Sequence, residues 1–323
     1  MTDRRKFLKG VGAAGTVAFS AGCIGDLTGG SSGGDSSSIT FSLTPAESDV
    51  DIQQQYQPLF NYLEDEADVT IESTVAADYA AVLQALKSEQ TDVADAAPAI
   101  ALQAGEQDVA EVAGIRIAYG AAQYFSTITT LPDNDINELA DLEGETIAFA
   151  DALSTSGSLF PLYMLSEAGL DTGNAPNGEP EDFSGQWSDH ATARETLINR
   201  DPVVAAGTGA FVSTPHVPAD QFPERFQEKS AEFDSAGSAT DEQEFQLLAT
   251  SQPIPRAPIL ARSGLDEDVK GRVIDALLNA EEDDLIEEDA EEQLWFTGLA
   301  EGSVDDYQPV QEVIDTLGVE LGQ

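Results

Sequence analysis

The sequence predicts an α/β fold arranged in one or two lobes, and three observations carry that prediction. The chain has 323 residues, 41% of them hydrophobic, which supplies a sizeable core for one large domain or two of ordinary size. From Ile39 onward, short apolar runs alternate with segments of helical period, the order expected of strands and helices in alternation. A stretch rich in glycine and serine, "GDLTGGSSGGDSSS" (25–38), sets this part apart from what precedes it and reads as a flexible tether over 24–38.

Residues 1–23 are a different object. Arg4-Arg5-Lys6-Phe7-Leu8-Lys9 is followed by small and apolar residues from Gly10 to Gly22 and then by Cys23, a pattern that reads as a processing signal. The arginine pair resembles a twin-arginine export signal, and Ser20-Ala21-Gly22-Cys23 resembles a lipobox, which makes Cys23 the expected lipidation site. The alternative for Cys23 is an ordinary buried thiol. The thirteen residues Gly10–Gly22 fall short of the roughly 20 needed to span a bilayer, so a lipid anchor is expected in place of a membrane helix. One cysteine allows no disulfide within the chain.

The charge is extreme. The chain carries 14 basic and 60 acidic residues; without Arg4, Arg5, Lys6, Lys9 and Asp3 the remainder holds 10 against 59, a formal charge of −49. Such a surface excludes nucleic acid as a partner, because nothing neutralises phosphates. It repels itself unless strongly screened, and at about 1 M salt the Debye length is roughly 3 Å. A halophilic protein is expected, and the acidity then reports the solvent and not the ligand.

The elements follow in order. "ITFSL" (39–43) and "VTIES" (69–73) alternate as strands do, with "QQQYQPLFNYLEDEA" (53–67) a helix between them. "DYAAVLQALKSE" (78–89) is a second helix, with Asp78 as N-cap and Tyr79, Val82, Leu83 and Leu86 on one face. "DVADAAP" (92–98) ends a strand, a short helix runs to about Ala104, and a strand lies near Val109–Ala113. "YFSTITTL" (124–131) is a strand ended by Pro132, and "NELADLEGETIAFAD" (137–151) gives a short helix, a turn at Gly144 and a strand over Thr146–Ala150. A helix is expected over "SLFPLYMLSEAGL" (158–170).

Between that last strand and its helix lies "ADALSTSGS" (150–158), with three consecutive hydroxyl residues, Ser154, Thr155 and Ser156. Backbone N–H groups at a helix start lack intrahelical acceptors and sit at the positive end of the dipole, so an anion docks there without a lysine. The alternative is that one serine caps the helix and the others are solvated.

Together with "DYAAVLQAL" (78–86), "TDVADAAPAIAL" (91–102), "WSDHATARETLI" (187–198) and "SQPIPRAPILAR" (251–262), the run "DLEGETIAFAD…STSG" resembles the phosphate, phosphite and phosphonate substrate-binding subunits of ABC importers. The resemblance implies the two-lobed α/β fold of type II periplasmic binding proteins, with a hinge of two crossing strands. It puts one lobe at 39–127 plus 250–323 and the other at 128–249, with crossings at "YFSTITTL" and "FQLLATSQPI" (245–254). By motif match the ligand residues are Tyr79, Tyr124, Ser154, Thr155, Ser156 and His190, and "IPRAP" brings Arg256 towards the ligand. Tyr79, Tyr124 and His190 have alternatives: core packing for Tyr79, an ordinary strand aromatic for Tyr124, and helix capping or surface for His190. Arg116, Arg194, Arg200 and Arg262 are expected to pair with nearby carboxylates, with Arg256 the exception. His190 is expected to meet the anion with an imidazole able to gain charge. His216, in "STPHVPAD", matches no ligand position and reads as surface.

An enzyme needs more than the chain offers. The serines have no Gly-x-Ser-x-Gly or Ser-x-x-Lys frame, the two histidines 26 positions apart have no cysteine partners for zinc, and "GTGAF" (207–211) lacks a dinucleotide fingerprint. No catalytic residue, metal or cofactor is therefore expected. The implied protein is a monomeric lipoprotein on the outer face of the cell membrane, handing its ligand to a permease driven by an ATPase. Alternatives are a receptor for another small anion, or a surface lipoprotein or enzyme on the same fold. Aminoalkylphosphonate binders of this family supply carboxylates to the ligand's ammonium. Here Ala257 in "IPRAP" and, less directly, Thr208 stand at those places, so the expected ligand is an amine-free phosphorus oxyanion: phosphate, phosphite or a small alkylphosphonate.

Overall fold

The computed structural model describes residues 37–118, 120–240, 242–286 and 293–319. The signal residues Arg4, Arg5 and Cys23, and the expected tether as far as residue 36, lie outside the described residues. Residues 36–323 form a single unit of contacts, and everything below concerns that unit.

Its first sheet has six strands, in the order Gly298–Ala300, Ala110–Ile117, Pro258–Arg262, Val93–Asp95, Ser37–Leu43 and Val69–Val75. Ser37–Leu43 runs parallel to both neighbours, whereas Pro258–Arg262 and Gly298–Ala300 pair antiparallel. The strand begins two residues before the expected Ile39, because Ser37 and Ser38 continue the ladder against Val69 and Thr70, so they do not belong to a tether. Alternation decides the face: Ile39, Phe41 and Leu43 point into the core, where Phe60 meets Phe41 edge-on at 5.2 Å.

The single helix expected over 53–67 is two, Ile52–Gln55 and Gln57–Glu66. Pro58 opens the second, where its missing N–H costs nothing, and Tyr56 between them turns inward to full burial. Asp78 caps helix Tyr79–Lys87 as expected, its carboxylate accepting from Ala81 N–H at 2.7 Å.

The second sheet has five strands: Gln246–Thr250, Ser126–Thr130, Val203–Gly209, Thr146–Phe149 and Ser184–Trp187. The chain passes from the first sheet to the second through Gln123–Tyr124 and Ser126–Thr130, and returns through Gln246–Thr250 and Ile254–Pro255. The outgoing and returning segments pair antiparallel, Tyr124 with Ile254 and Thr127 with Thr250. The expected strand 124–131 breaks at Phe125, whose fully buried ring packs on Phe226 at 4.9 Å. The short helix before Gly144 is one 3-10 turn, Leu139–Leu142, and Gly144 takes the left-handed φ of +83° that its tight turn requires.

Candidate functional site

The hydroxyl triplet sits at a strand-to-helix junction, and local hydrogen bonds dictate its form. After Phe149, the Asp151 carboxylate accepts from Leu153 N–H at 2.8 Å and bends the chain. Ser154 Oγ accepts from Gly157 N–H at 3.1 Å, and the Ser154 carbonyl accepts from both Ser158 and Leu159 at 3.1 Å. The result is a wide π-type turn, Thr155–Leu159, that widens the entry to helix Phe160–Glu167, shorter than the expected 158–170. Gly157 has to be glycine, because a Cβ there would strike Ala150 Cβ and lie 2.6 Å from His190 Cε1.

His190 is the first residue of helix His190–Asn199, and Asp189 caps that helix by accepting from Thr192 N–H. The imidazole Nδ1 accepts from Gly209 N–H at 2.9 Å, which assigns the ring proton to Nε2. Nε2–H therefore donates to Ser154 Oγ, 3.1 Å away. Ser154 Oγ thus accepts two N–H donors, leaving its own proton to be donated. Thr155 Oγ1 likewise accepts from Ala99 N–H at 3.1 Å, at the start of helix Pro98–Glu106, and keeps its proton for another acceptor. Burial pushes His190 down to about 4, against a smaller opposing effect of Asp189. The expectation of an imidazole that gains charge is thus corrected: the ring is neutral near pH 7, and its Nε2–H is engaged with Ser154 Oγ.

Two phenols complete the corner. Burial raises Tyr79 well above its ordinary value, and Ser154 lies within hydrogen-bond reach of it. Burial raises Tyr124 to about 12, with Ser156 within reach. Both remain protonated donors at any ordinary pH.

These residues line one cavity of about 790 Å³, which Tyr79, Tyr124, Ser154, Thr155, Ser156, His190 and Arg256 all face. Tyr79 also packs in the core with Val82, Leu83 and Leu86, so its two readings coexist. Arg256 is buried, donates from Nε to the Ala121 carbonyl, and pairs with Glu232 at 2.8 Å. Its positive charge reaches the cavity already balanced.

Arg116 pairs with a carboxylate as expected, but the sequence reading did not place that pair in this cavity. Arg116 Nη1 lies 2.6 Å from Asp95 Oδ1, a contact of charges and not an aligned hydrogen bond, and also donates to the Tyr56 hydroxyl. Burial raises the Asp95 carboxyl, and Arg116 pulls it back. Trp295 covers the guanidinium at 4.4 Å, and Phe211 is another lining residue the sequence did not single out. A signal existed in charges set inside apolar runs, Asp95 in "DVADAAP" and Arg116 in "VAGIRIA", but they lie 21 positions apart. Arg194 and Arg262 pair with Asp49 and Asp92 as expected. His216 is not a surface residue: it is buried, stacks on Phe245 at 4.7 Å, and meets the Gln243 carbonyl. Among the described residues, no His, Cys, Asp and Glu group is arranged to hold a metal, and no helix is long and apolar enough to cross a membrane.

Two sheets joined by paired crossing segments, with a donor-lined cavity beside them, have the architecture of the periplasmic binding protein fold. Residues 41–307 match the family described as ABC transporter, phosphonate, periplasmic substrate-binding protein, and the chain belongs to that family. It is 31% identical over 186 residues to the phosphate-import protein PhnD of Mycolicibacterium smegmatis, covering 53% of this chain and 57% of that protein. It is 24% identical over 247 residues to the phosphonates-binding periplasmic protein of Escherichia coli, covering 75% of this chain and 65% of that protein. The chain thus spans between 57% and 65% of the length of these curated relatives. A solved binding protein component of an ABC phosphonate transporter from Pseudomonas aeruginosa superposes with a TM-score of 0.66 at 20% identity, over 88% of this chain and 87% of that one. PhnD1 of Prochlorococcus marinus in complex with methylphosphonate superposes with a TM-score of 0.64 at 15% identity, over 88% and 99%. At these identities the likeness shows the fold.

Proposed function

We propose that the chain is the extracytoplasmic solute-binding subunit of an ABC importer and holds a tetrahedral phosphorus oxyanion without an amine. The observation that carries this reading is the convergence of hydroxyl donors on one corner of one cavity. Ser154 accepts two N–H donors and Thr155 one, so each keeps its own proton to donate, beside Ser156 and two protonated phenols. Such a corner suits oxygen atoms that only accept. Phosphate, phosphite and small alkylphosphonates all present them, and the Mycolicibacterium relative carries a phosphate-import name.

In this reading the lobes are 39–127 with 250–323 and 128–249, the paired crossing segments are the hinge, and closure over the anion creates the form that a permease and its ATPase accept. The protein is a monomer, exported by its twin-arginine signal, lipidated at Cys23 and held at the outer face of the membrane of a halophile. The test is calorimetry with methylphosphonate in molar salt on the wild type, Thr155→Ala and Ser156→Ala. Each variant should bind about 1–3 kcal/mol more weakly while remaining folded. Unchanged affinity in both variants removes this corner from the site.

A further inference from the structure

A small oxyanion would fill only a minor part of this cavity as it stands before closure. A methylphosphonate has five heavy atoms, and at about 30 Å³ each, the share of a water molecule in the liquid, it takes about 150 Å³. The cavity measures about 790 Å³, within the range of sites that enclose ligands of drug size.

The surplus space has a defined wall. Arg256 lies 5.9 Å from the ring of Tyr124, which belongs to the anion corner, and 5.8 Å from the ring of Trp295. Trp295 in turn covers Arg116 at 4.4 Å. Tyr124, Arg256, Trp295 and Arg116 thus form a connected set of rings and guanidinium groups along one side of the cavity, with both arginines close enough to Tyr124 to act on it. Both guanidinium groups are buried beneath these rings and paired, Arg256 with Glu232 and Arg116 with Asp95, so their charges are balanced and Trp295 is the partly exposed flat surface of this wall. Phe211 also faces the cavity and is 36% exposed, one of two large apolar side chains left so open among the described residues.

We propose that the cavity contains a second subsite beside the anion corner, for an uncharged planar organic substituent on phosphorus. The ligand class it favours is an aryl-bearing phosphonate or phosphate monoester over a bare or methyl-capped oxyanion. The inference rests on the anion reading above and ranks ligands within it. Flat, neutral surface stacks on the ring of Trp295 and covers Phe211, whereas a cationic substituent would find Asp95 and Glu232 already paired and only the more exposed Glu47 and Asp234, screened in molar salt.

The experiment is titration calorimetry on the full chain in molar potassium chloride with phenylphosphonate, phenyl phosphate, methylphosphonate and inorganic phosphate. The aryl compounds should bind at least about tenfold more tightly than methylphosphonate. The better of the two aryl probes shows whether the carbon–phosphorus or the ester link is preferred. Trp295→Leu should shrink the aryl advantage to less than about threefold. The wild-type comparison needs no variant, so a folding defect in Trp295→Leu leaves the test intact. Methylphosphonate matching or surpassing both aryl probes overturns the subsite, as does an equal loss for all probes in Trp295→Leu. If Ser156→Ala weakens methylphosphonate while the aryl advantage is absent, only the subsite falls. Failure of all four probes to bind overturns the anion reading and the subsite with it.

Discussion

His190 makes stability depend on pH in a calculable way. Its ring is buried, Nδ1 is occupied by Gly209 N–H, and protonation there would break that bond and set an unbalanced charge against Ser154. The folded value is about 4 against a reference of 6.5. Between those values the unfolded chain binds the proton that the folded chain refuses, so stability rises with pH across this window and is lost as pH falls through it. From pH 7 to pH 5 the loss through this group is about 2 kcal/mol, approaching about 3 kcal/mol below pH 4. Other groups act at the same time. His216 is also lowered by burial and has the same sign, whereas burial raises Asp95 and Asp151, which protonate early in the folded state and act in the opposite sense. The raw curve is therefore composite, and the readout is a difference. His190→Asn keeps an acceptor for Gly209 N–H and cannot titrate. Urea unfolding of wild type and variant in molar salt at pH 5, 6 and 7 should give curves that converge by about 2 kcal/mol as pH falls. Parallel curves over that range would refute the buried neutral imidazole.

Four further outcomes follow from the same geometry. Gly157→Ala should destabilise the fold by about 1–3 kcal/mol and weaken anion binding, because the new methyl meets Ala150 and the His190 ring; thermal melting with and without methylphosphonate checks both. Arg256→Ala should cost about 3 kcal/mol by leaving Glu232 without its cation, and a second change, Glu232→Gln, should recover part of the loss in a double-mutant cycle of urea melts. Affinity for methylphosphonate should change little between 1 and 3 M salt, since the donors are short-range; a steep fall in folded protein would point to unpaired cations. Cys23→Ser should release the protein from the cell surface or leave it unprocessed, and Arg4-Arg5→Lys-Lys should stop its export, both read by fractionation.

The parts legible in the sequence were those set by short-range rules. Alternation gave Ile39, Phe41 and Leu43 their face, the cap at Asp78 set the start of a helix, and the position of Ser154–Ser156 after an apolar strand placed the junction. What escaped depends on long-range partners. The helix break at Tyr56 has a local cause in Pro58, which cannot donate to the Gln54 carbonyl, whereas the Arg116 partner of the Tyr56 hydroxyl lies 60 positions away. Asp95 and Arg116 stand 21 positions apart and meet only because Pro258–Arg262 lies between their strands in the sheet. The sign of the His190 shift was equally hidden. A helix-start histidine beside an aspartate reads as a group ready to charge, and only its burial and the bond from Gly209 reverse that. His216 shows the same limit, since a proline-rich loop gives no hint that Phe245 will cover it.

Ligand choice turns on where the cavity keeps its carboxylates. Neutral Ala257 and Thr208 argued against an ammonium group, yet the cavity does contain acids from other segments: Asp95, Glu232, Glu47 and Asp234. Asp95 and Glu232 are each held by an arginine, and an ammonium group could use either only by displacing a guanidinium from a buried pair. Breaking such a pair costs about 3–5 kcal/mol. Asp234 is exposed and Glu47 partly exposed, and an ion pair with either returns about 1 kcal/mol at most, less in molar salt. The balance still favours an amine-free ligand, for a reason different from the neutral residues in "IPRAP". Competition calorimetry among phosphate, phosphite, methylphosphonate and 2-aminoethylphosphonate in molar salt should leave the amine compound weaker than methylphosphonate. Tightest binding by 2-aminoethylphosphonate would mean that a cavity carboxylate is open to a cation, and that the arginine pairs do not balance the site.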